Sequence, residues 1–222
     1  MTVRASSEIR NNGGGGRLID AEGCWREAGG DLRWAAGRAA LVLDRDGVVV
    51  KEAGYLHRVE DLALIPGAAE LIAEANRREI PVVMASNQAG IARGYFGWDE
   101  FLTVQTELKR RLEEAGSRVD LTLGCPHYPE HPDRKPRPGM LVKAGQMAGI
   151  DLGRSWAIGD KASDLEAARA AGLAGGVLVL SGHGVEHRAA ALGLETGAFR
   201  VAVEDSIAGA KWLLDALTAG RP

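Results

Sequence analysis

The chain has 222 residues, of which 45% are apolar and 26% are charged, and its formal net charge is −3 at pH 7. These values are ordinary for a globular protein and lack the basic clustering of nucleic-acid-binding proteins, and no apolar run approaches the roughly 18 residues of a membrane span. We therefore expect no nucleic-acid partner and no membrane association. The two cysteines, Cys24 and Cys125, make no disulfide framework and indicate a cytoplasmic protein.

Residues 1–38 differ from the rest of the chain because they are rich in glycine and show no clear hydrophobic period. Glycine favours turns over regular elements. We therefore predict an irregular N-terminal arm, with Trp25 and Trp34 exposed, that packs on the domain or on a partner subunit. Residues 39–222 are predicted to form one domain. We expect a monomer, with a dimer through the arm as the alternative.

From residue 39 onward, continuous apolar runs alternate with amphipathic segments. Runs of this kind are typical of strands buried on both faces, and amphipathic segments are typical of surface helices. We predict strands at 39–43, 80–86, 119–123, 155–160, 175–180 and 199–203, and helices at 66–78, 98–116, 138–149, 161–172 and 205–217. This alternation predicts an α/β fold, a Rossmann-like three-layer sandwich with a central parallel sheet.

Polar side chains follow several of the predicted strands, where ligands bind in sheets of this kind. Asp44 and Asp46 follow the first strand, Ser86 and Asn87 follow the second, and Asp160 follows the fourth. Carboxylates that converge in one crevice repel each other unless a cation or protons offset their charge. Mg²⁺ suits an all-oxygen site, and a carboxylate held against it can attack phosphorus.

The segment "CPHYPEHPDRKPRPGM", residues 125–140, contains five of the chain's eight prolines. Proline lacks an amide donor and restricts φ, so this segment is predicted to be a stiff loop. The flanking Pro136 and Pro138 restrict the course of the backbone around Lys135. Together with the Ser86 hydroxyl, the Lys135 ammonium could stabilise the charge of a phosphoryl group in transfer.

Four ordered motifs carry a family resemblance: "DRDG" (44–47), "SNQAGIARGYF" (86–96), "RKPRPGM" (134–140) and "GDKASD" (159–164). They resemble those of the haloacid dehalogenase-like phosphatases. More narrowly, they resemble the D-glycero-D-manno-heptose-1,7-bisphosphate 7-phosphatases and the histidinol-phosphate phosphatases. The resemblance covers roughly residues 39–185 and implies that no large cap domain is present.

The resemblance implies a role for each site residue. Asp44 would be the nucleophile that forms an aspartyl-phosphate, and Asp46 would be the general acid and then the general base. Mg²⁺ would be held by the Asp44 carboxylate, the Asp46 carbonyl and Asp160, while Ser86 and Lys135 would stabilise the phosphoryl group. The substrate-binding residues would be Arg45, Glu52, Ala53, Gly54, Tyr55, Asn87, Gln88, Ala89, Arg134 and Lys161.

The proline loop of this family usually carries a structural zinc site, Cys-x-His followed by Cys-x-Cys. This chain keeps Cys125 and His127, but His131 and Asp133 occupy the positions of the two later cysteines. All four are competent zinc ligands. Two interpretations stay open: a zinc site with altered ligands, or a loop that is shaped by its prolines alone.

Two classes of function fit these motifs. The first is a Mg²⁺-dependent phosphatase that acts on a small sugar phosphate, either heptose 1,7-bisphosphate or histidinol phosphate. The second is a receiver-type signalling domain, which also phosphorylates an Asp at a strand end. Asp46 favours the phosphatase, because a second acid two residues after the nucleophile enables turnover of the phospho-Asp. The segment "SGHG" at 181–184 is predicted to be a plain loop.

Overall fold

The computed structural model describes residues 17–219, which contain one mixed sheet of eight strands. The strands are β1 (Arg17–Ile19), β2 (Trp25–Ala28), β3 (Leu41–Leu43), β4 (Val82–Asn87), β5 (Leu121–Cys125), β6 (Trp156–Gly159), β7 (Gly175–Val179) and β8 (Arg200–Glu204). Their order across the sheet is β1-β2-β5-β4-β3-β6-β7-β8. Every neighbouring pair from β5 to β8 is parallel, which confirms the predicted α/β class.

Helices connect the parallel strands. Within the described residues they are α1 (Ala68–Arg77), α2 (Ala89–Ala92), α3 (Trp98–Glu114), α4 (Gly139–Ala148), α5 (Ala162–Ala170), α6 (Gly184–Leu192) and α7 (Leu213–Thr218). The sequence pattern does not predict α2 or α6, and α6 begins inside the segment predicted as a loop. The last predicted helix begins as a 3-10 helix, Ile207–Trp212. None of the described helices has both the length and the apolar character needed to cross a bilayer.

The apolar run of β3 is buried on both faces of the sheet. Leu41 and Leu43 belong to one hydrophobic cluster, whereas Val42 belongs to a second cluster on the other face. Successive side chains of a strand point to opposite faces, so a strand covered on both sides must be apolar throughout. This explains why the strand has no alternating pattern, and it confirms the three-layer architecture.

The order of the parallel strands reverses at β3, which lies between β4 and β6. The chain first passes from β3 through α1 to β4 and then β5, and it later crosses back to place β6 on the other side of β3. The loops that follow β3, β4 and β6 therefore leave the same edge of the sheet side by side. This is the crevice in which ligands of open parallel sheets bind.

The prediction of an irregular arm is wrong for residues 17–28, because β1 and β2 form a hairpin that extends the central sheet. In the hairpin turn, Asp20 Oδ1 accepts a hydrogen bond from the Cys24 amide at 2.8 Å, and β2 pairs antiparallel with β5. Trp25 is 1% exposed rather than exposed as predicted, and it stacks on Trp98 and packs edge to face against Phe101. Strands of three and four residues are too short to show a hydrophobic period. Residues 1–16 of the predicted arm lie outside the described residues.

The connection from β3 to β4 contains one α-helix, α1, and one 3-10 turn, Val59–Asp61. Isolated bridges pair Val50 with Asp46 and with Leu64, so the segment before α1 forms a short flap. These elements are too few to form a cap domain, in agreement with the prediction that this connection contains no large cap. The expected monomer, and its alternative of a dimer through the arm, stay predictions.

Candidate active site

A cavity of about 600 Å³ lies at the carboxyl ends of β3, β4 and β6. It brings together most of the side chains that the sequence singles out. Ala53 is exposed and does not line the cavity, and Asp160 is fully buried behind its wall. The predicted residues that line it are Asp44, Arg45, Asp46, Glu52, Gly54, Tyr55, Ser86, Asn87, Gln88, Ala89, Arg134, Lys135 and Lys161.

Lys135 lies at the centre of the cavity floor and is 5% exposed. Its ammonium donates to Asp44 Oδ1 at 2.6 Å and to the Ala85 carbonyl at 2.7 Å, and it forms an ion pair with Asp164 Oδ1 at 2.6 Å. The other carboxylate oxygen of Asp164 accepts the Lys161 amide at 3.0 Å. Three acceptors fix the ammonium beside Asp44, and Asp164 is one of them.

Asp164 is a site residue that the sequence analysis did not assign. The signal was available, because Asp164 is the last residue of the motif "GDKASD". Asp164 belongs to the first turn of α5, and its carboxylate accepts the amide at the start of that helix. A helix-capping acid is common, so the pattern alone does not distinguish capping from a role in the site.

Negative charge exceeds positive charge among the side chains of the cavity floor. Burial, together with the nearby carboxylates of Asp164 and Asp160, raises the pKa of Asp44 to about 7, although Lys135 opposes the shift. Burial lowers the pKa of Lys135, but Asp164 and Asp44 outweigh burial and raise it overall, so the ammonium stays protonated. Two ammoniums, those of Lys135 and Lys161, therefore face the four carboxylates of Asp44, Asp160, Asp164 and Glu52, and the site favours protons or a further cation.

The donors present fit a magnesium ion. Asp44, Asp160 and Asp164 each offer an oxygen within 4.8 Å of the others. Asp160 Oδ2 accepts the His183 amide at 2.9 Å, whereas the buried Asp160 Oδ1 has no hydrogen-bond partner among the described residues. Burial also raises the pKa of Asp160. An unsatisfied buried carboxylate oxygen is costly, and a hard cation would satisfy it.

Two glycines allow the backbone to approach Asp160. Gly47 has φ +84° and Gly182 has φ +60°, both in the left-handed region, and a Cβ at either position would clash with the Asp160 carboxylate. Ser181 donates to the Gly47 carbonyl at 2.8 Å and joins the two turns. The glycines of "DRDG" and "SGHG" therefore enclose Asp160, and the second motif is part of the wall of the site.

Arg45 is 1% exposed and its guanidinium lies over the Phe101 ring. It donates to both carboxylate oxygens of Asp46 at 3.1 Å and to Gln88 Oε1 at 3.1 Å. Asp46 Oδ2 also accepts from the Ser86 hydroxyl and the Gln88 amide, each at 3.3 Å. Arg45 thus contacts Asp46 and Gln88 from the wall of the cavity, and the substrate contact predicted for it stays a prediction.

Asn87 connects the end of β4 to the proline loop. Its side chain donates to the Lys135 carbonyl at 2.9 Å and accepts the Lys135 amide at 3.1 Å. This pair of bonds matches the two backbone groups of one residue, so it fixes the position of the loop against the sheet. Asn87, predicted to bind substrate, thus has its side-chain amide engaged with Lys135.

The flap and the α5 turn form the opposite wall. Glu52 Oε2 lies 3.6 Å from the Lys161 ammonium and 3.5 Å from His183 Nε2. Glu52 Oε1 accepts the Gly54 amide at 2.7 Å, which shapes the turn before Tyr55. Burial lowers the pKa of Lys161, but Asp160, Asp44 and Glu52 raise it overall. His183 is a cavity-lining residue that the loop prediction for 181–184 missed.

The predicted zinc ligands do not all come together. Cys125 and His131 each have a ligand atom within 4.8 Å of the other and of Cys24, which the sequence analysis did not include. The ring of His127 instead stacks on His131, and its Nε2 lies 2.6 Å from the Glu22 carbonyl. Asp133 clusters with Cys24 but forms an ion pair with Lys143. The structure thus corrects the set by bringing in Cys24 and leaving out His127.

The reason for this correction is strand register. Trp25 lies opposite Gly124 in the antiparallel pair of β2 and β5, so Cys24 lies next to Cys125. Both cysteines are buried and unbridged. The hydrogen bond with Cys125 raises the pKa of the Cys24 thiol, and that with Cys24 lowers the pKa of the Cys125 thiol. Residues a hundred positions apart in sequence meet here only because the hairpin joins the sheet.

Comparisons with known proteins agree with this geometry. A family model described as HAD-hydrolase-like matches residues 133–211. The chain is 43% identical, over 166 residues, to the D-glycero-beta-D-manno-heptose-1,7-bisphosphate 7-phosphatase of Mesorhizobium japonicum, a match that covers 71% of this chain and 76% of that protein. The chain belongs to the haloacid dehalogenase-like hydrolase family. It is a phosphatase, because the relatives that it matches at this level are phosphatases.

Solved structures of this family show the same fold. A HAD-like phosphatase from Mesorhizobium loti superposes with a TM-score of 0.79 at 37% identity and covers 90% of this chain and 95% of that chain. The D,D-heptose 1,7-bisphosphate phosphatase of B. bronchiseptica, complexed with magnesium and phosphate, gives a TM-score of 0.72 at 32% identity. That match covers 79% of this chain and 97% of the neighbour. Membership of the family disfavours the receiver-type signalling domain.

Proposed function

We propose that this phosphatase removes the 7-phosphate of D-glycero-D-manno-heptose 1,7-bisphosphate in a Mg²⁺-dependent reaction that passes through an aspartyl-phosphate. The observation that carries the proposal is the arrangement at the end of β3. Asp44 contacts the ammonium of Lys135, and a second acid, Asp46, follows two residues later in the same cavity. The names of the relatives support the choice of substrate.

In the first step, a carboxylate oxygen of Asp44 attacks the phosphorus atom and the bond from phosphorus to the sugar oxygen breaks. Asp46 donates a proton to the leaving oxygen. Lys135 and the Ser86 hydroxyl offset the charge on the phosphoryl oxygens. Arg45 and Gln88, which contact the Asp46 carboxylate, hold it in position.

In the second step, water attacks the phosphorus atom of the aspartyl-phosphate. Asp46, now ionised, takes the proton of that water, and the bond from phosphorus to the Asp44 oxygen breaks to release inorganic phosphate. Atoms and charge balance with one water consumed per phosphate released. This step also separates the proposed phosphatase from a receiver domain, which must retain its phospho-Asp.

The residues that would hold Mg²⁺ are Asp44, Asp160 and the backbone carbonyl of Asp46. When bound, the ion would neutralise charge on the nucleophile and on the phosphoryl oxygens. The unpartnered Asp160 Oδ1 supports this assignment. Asp164 is occupied by Lys135 and by the Lys161 amide, so we assign it to positioning Lys135 rather than to the ion.

The proposed substrate is tested by a screen of phosphate release over both anomers of heptose 1,7-bisphosphate, histidinol phosphate and other sugar phosphates. We expect the highest kcat/KM for one heptose bisphosphate anomer, release of one phosphate per molecule, and no activity in chelator until Mg²⁺ is restored. Product analysis by ³¹P NMR identifies which phosphate leaves. A higher kcat/KM for histidinol phosphate would replace the proposed substrate by that alternative.

We also propose a structural zinc site that joins the hairpin to the proline loop. Its ligands would be Cys24, Cys125 and His131, whose ligand atoms cluster, with Asp133, which clusters with Cys24, as the fourth. Two thiols and an imidazole are a donor set that zinc favours. The site would connect β2, the end of β5 and the loop that carries Lys135. Two unbridged cysteines also fit the reducing cytosol in which we place the protein.

Measuring the zinc content of variants distinguishes the ligand set with Cys24 from the set with His127 that the sequence suggests. For protein purified without added zinc, we expect about one zinc per chain in the wild type and at least about a tenfold weaker retention against a chelator in Cys24→Ser. His127→Ala is the matched control and should retain zinc, because that ring is turned to the Glu22 carbonyl. Wild-type protein without zinc, but fully active in Mg²⁺, would show that the prolines alone shape the loop.

A further inference from the structure

Three tyrosines and two arginines surround the mouth of the cavity, and we call them the rim cluster: Tyr55, Tyr95, Tyr128, Arg93 and Arg134. The tyrosine side chains are among the most exposed large hydrophobic groups of the described chain, at 38%, 55% and 48%. Exposed aromatic side chains of this kind are enriched at binding sites. Tyr55 and Arg134 line the cavity itself, and Arg93 contacts Tyr128, the residue before the cavity-lining Pro129.

The cluster is held together by ring contacts. The guanidinium carbon of Arg93 lies 3.9 Å from the centroid of the Tyr128 ring, and that of Arg134 lies 5.3 Å from the same ring. The rings of Tyr55 and Tyr95 pack edge to face with their centroids 4.7 Å apart, and the Tyr95 side chain raises the pKa of Arg93. Such contacts order a guanidinium before any ligand arrives, which lowers the entropy lost on binding.

The two rim arginines differ from the cations on the cavity floor. Lys135 forms ion pairs with Asp44 and Asp164, and Arg45 forms an ion pair with Asp46. Between residues 17 and 219, no ion pair involves Arg93 or Arg134; the side chain of Arg134 donates to the His127 carbonyl at 3.3 Å. Lys135 and Arg45 are therefore paired with carboxylates, whereas Arg93 and Arg134 have no carboxylate partner among the described residues.

We propose that Arg93 binds the second, non-reacting phosphate of a sugar bisphosphate, together with Arg134 and with Tyr128 between them. This inference rests on the proposed function and names a specificity-determining residue for it. When one phosphate contacts Asp44 and Lys135 on the floor, the other end of the sugar points toward the mouth. A guanidinium fork binds a phosphate through two hydrogen bonds, and unpaired forks bind it without breaking an existing ion pair.

Arg93→Ala tests the proposal by comparing the heptose 1,7-bisphosphate with the same sugar phosphorylated at C7 alone. We expect kcat/KM for the bisphosphate to fall about 10- to 100-fold, mainly through KM, because a charge-assisted hydrogen bond is lost away from the reacting atoms. For the monophosphate, kcat/KM should stay within about twofold of the wild type. Arg93→Lys keeps the charge but loses the fork, so we expect an intermediate loss.

Arg169→Ala is the matched control, because Arg169 is an exposed arginine in the last turn of α5. It should change neither substrate's kinetics. An equal loss for both substrates in Arg93→Ala, or no loss for the bisphosphate, would overturn the role of Arg93. A wild-type enzyme that hydrolyses only monophosphates would overturn the proposed substrate as well, whereas an intact bisphosphatase with an unaffected Arg93→Ala variant would overturn only this inference.

Discussion

The Asp44→Asn variant is expected to release phosphate at least about 10⁴-fold more slowly than the wild type, since it removes the nucleophile and keeps the shape of the side chain. Asp44 lies at the end of β3, where Lys135 contacts one of its oxygens, and Asp160 and Asp164 each have a carboxylate oxygen within 4.8 Å. Initial rates of phosphate release with saturating Mg²⁺ measure the effect. Substrate binding, followed by calorimetry in the same variant, should survive.

The control for Asp44→Asn is Asp151→Asn, a change in the loop before β6 that lies away from the cavity. It should keep wild-type activity. Trapping the aspartyl-phosphate complements the rate measurements. Acid quenching during turnover should leave phosphate bound covalently to the wild-type protein and none bound to Asp44→Asn. Trapped phosphate in the variant, or activity above about 1% of the wild type, would contradict the assignment of Asp44.

The second expected result concerns both activity and stability. Lys135→Met removes an ammonium from between Asp44 and Asp164 while it keeps the length of the side chain. Breaking a buried ion pair by removing one partner costs about 3–5 kcal/mol of the free energy of unfolding. The loss of preorganised positive charge should also lower kcat about 100- to 1000-fold. Denaturant unfolding in chelator measures the first effect, and phosphate release in Mg²⁺ measures the second.

The difference in the free energy of unfolding between Lys135→Met and the wild type should become smaller as the pH falls. Burial raises the pKa of Asp44 to about 7, so its proton is bound more tightly in the folded protein than in the unfolded chain. Lys135 lowers the pKa of Asp44, so Asp44 takes up its proton at higher pH in Lys135→Met than in the wild type. The difference in the free energy of unfolding between the two proteins should therefore narrow from pH 8 to pH 5. Lys211→Met, an exposed lysine, is the control. A difference that is constant over this range would contradict an electrostatic role for Lys135.

Local patterns in the sequence were sufficient to predict where the polar groups of the floor belong. Apolar runs followed by acids predict strands that end at a binding edge, and the structure brings Asp44, Asp46, Ser86, Asp160 and Lys135 to that edge. This inference works because carboxyl ends of parallel strands meet whatever the details of packing. The pattern predicts which residues lie at the same edge of the sheet, but it does not predict which carboxylate oxygen contacts which hydrogen-bond donor.

Side chains whose partners are distant in sequence escaped prediction. Asp164 resembles an ordinary helix cap until Lys135, from another loop, is placed against it at 2.6 Å. Arg45 resembles a substrate-binding residue until the fold places Gln88, which follows β4, against its guanidinium at 3.1 Å. In both cases the decisive contact joins two elements that only the sheet order brings together.

The sequence by itself determined the α/β alternation, the reversal edge as the place of the site and the residue types that make it a phosphatase, because these depend on local runs, turns and motifs. Only the tertiary structure decided that residues 17–28 complete the sheet, that Cys24 meets Cys125, and that Arg93 stands unpaired over Tyr128. The physical reason is that strand register and ring packing are set by contacts between segments far apart in the chain, and a short hairpin gains its stability from the sheet that it joins.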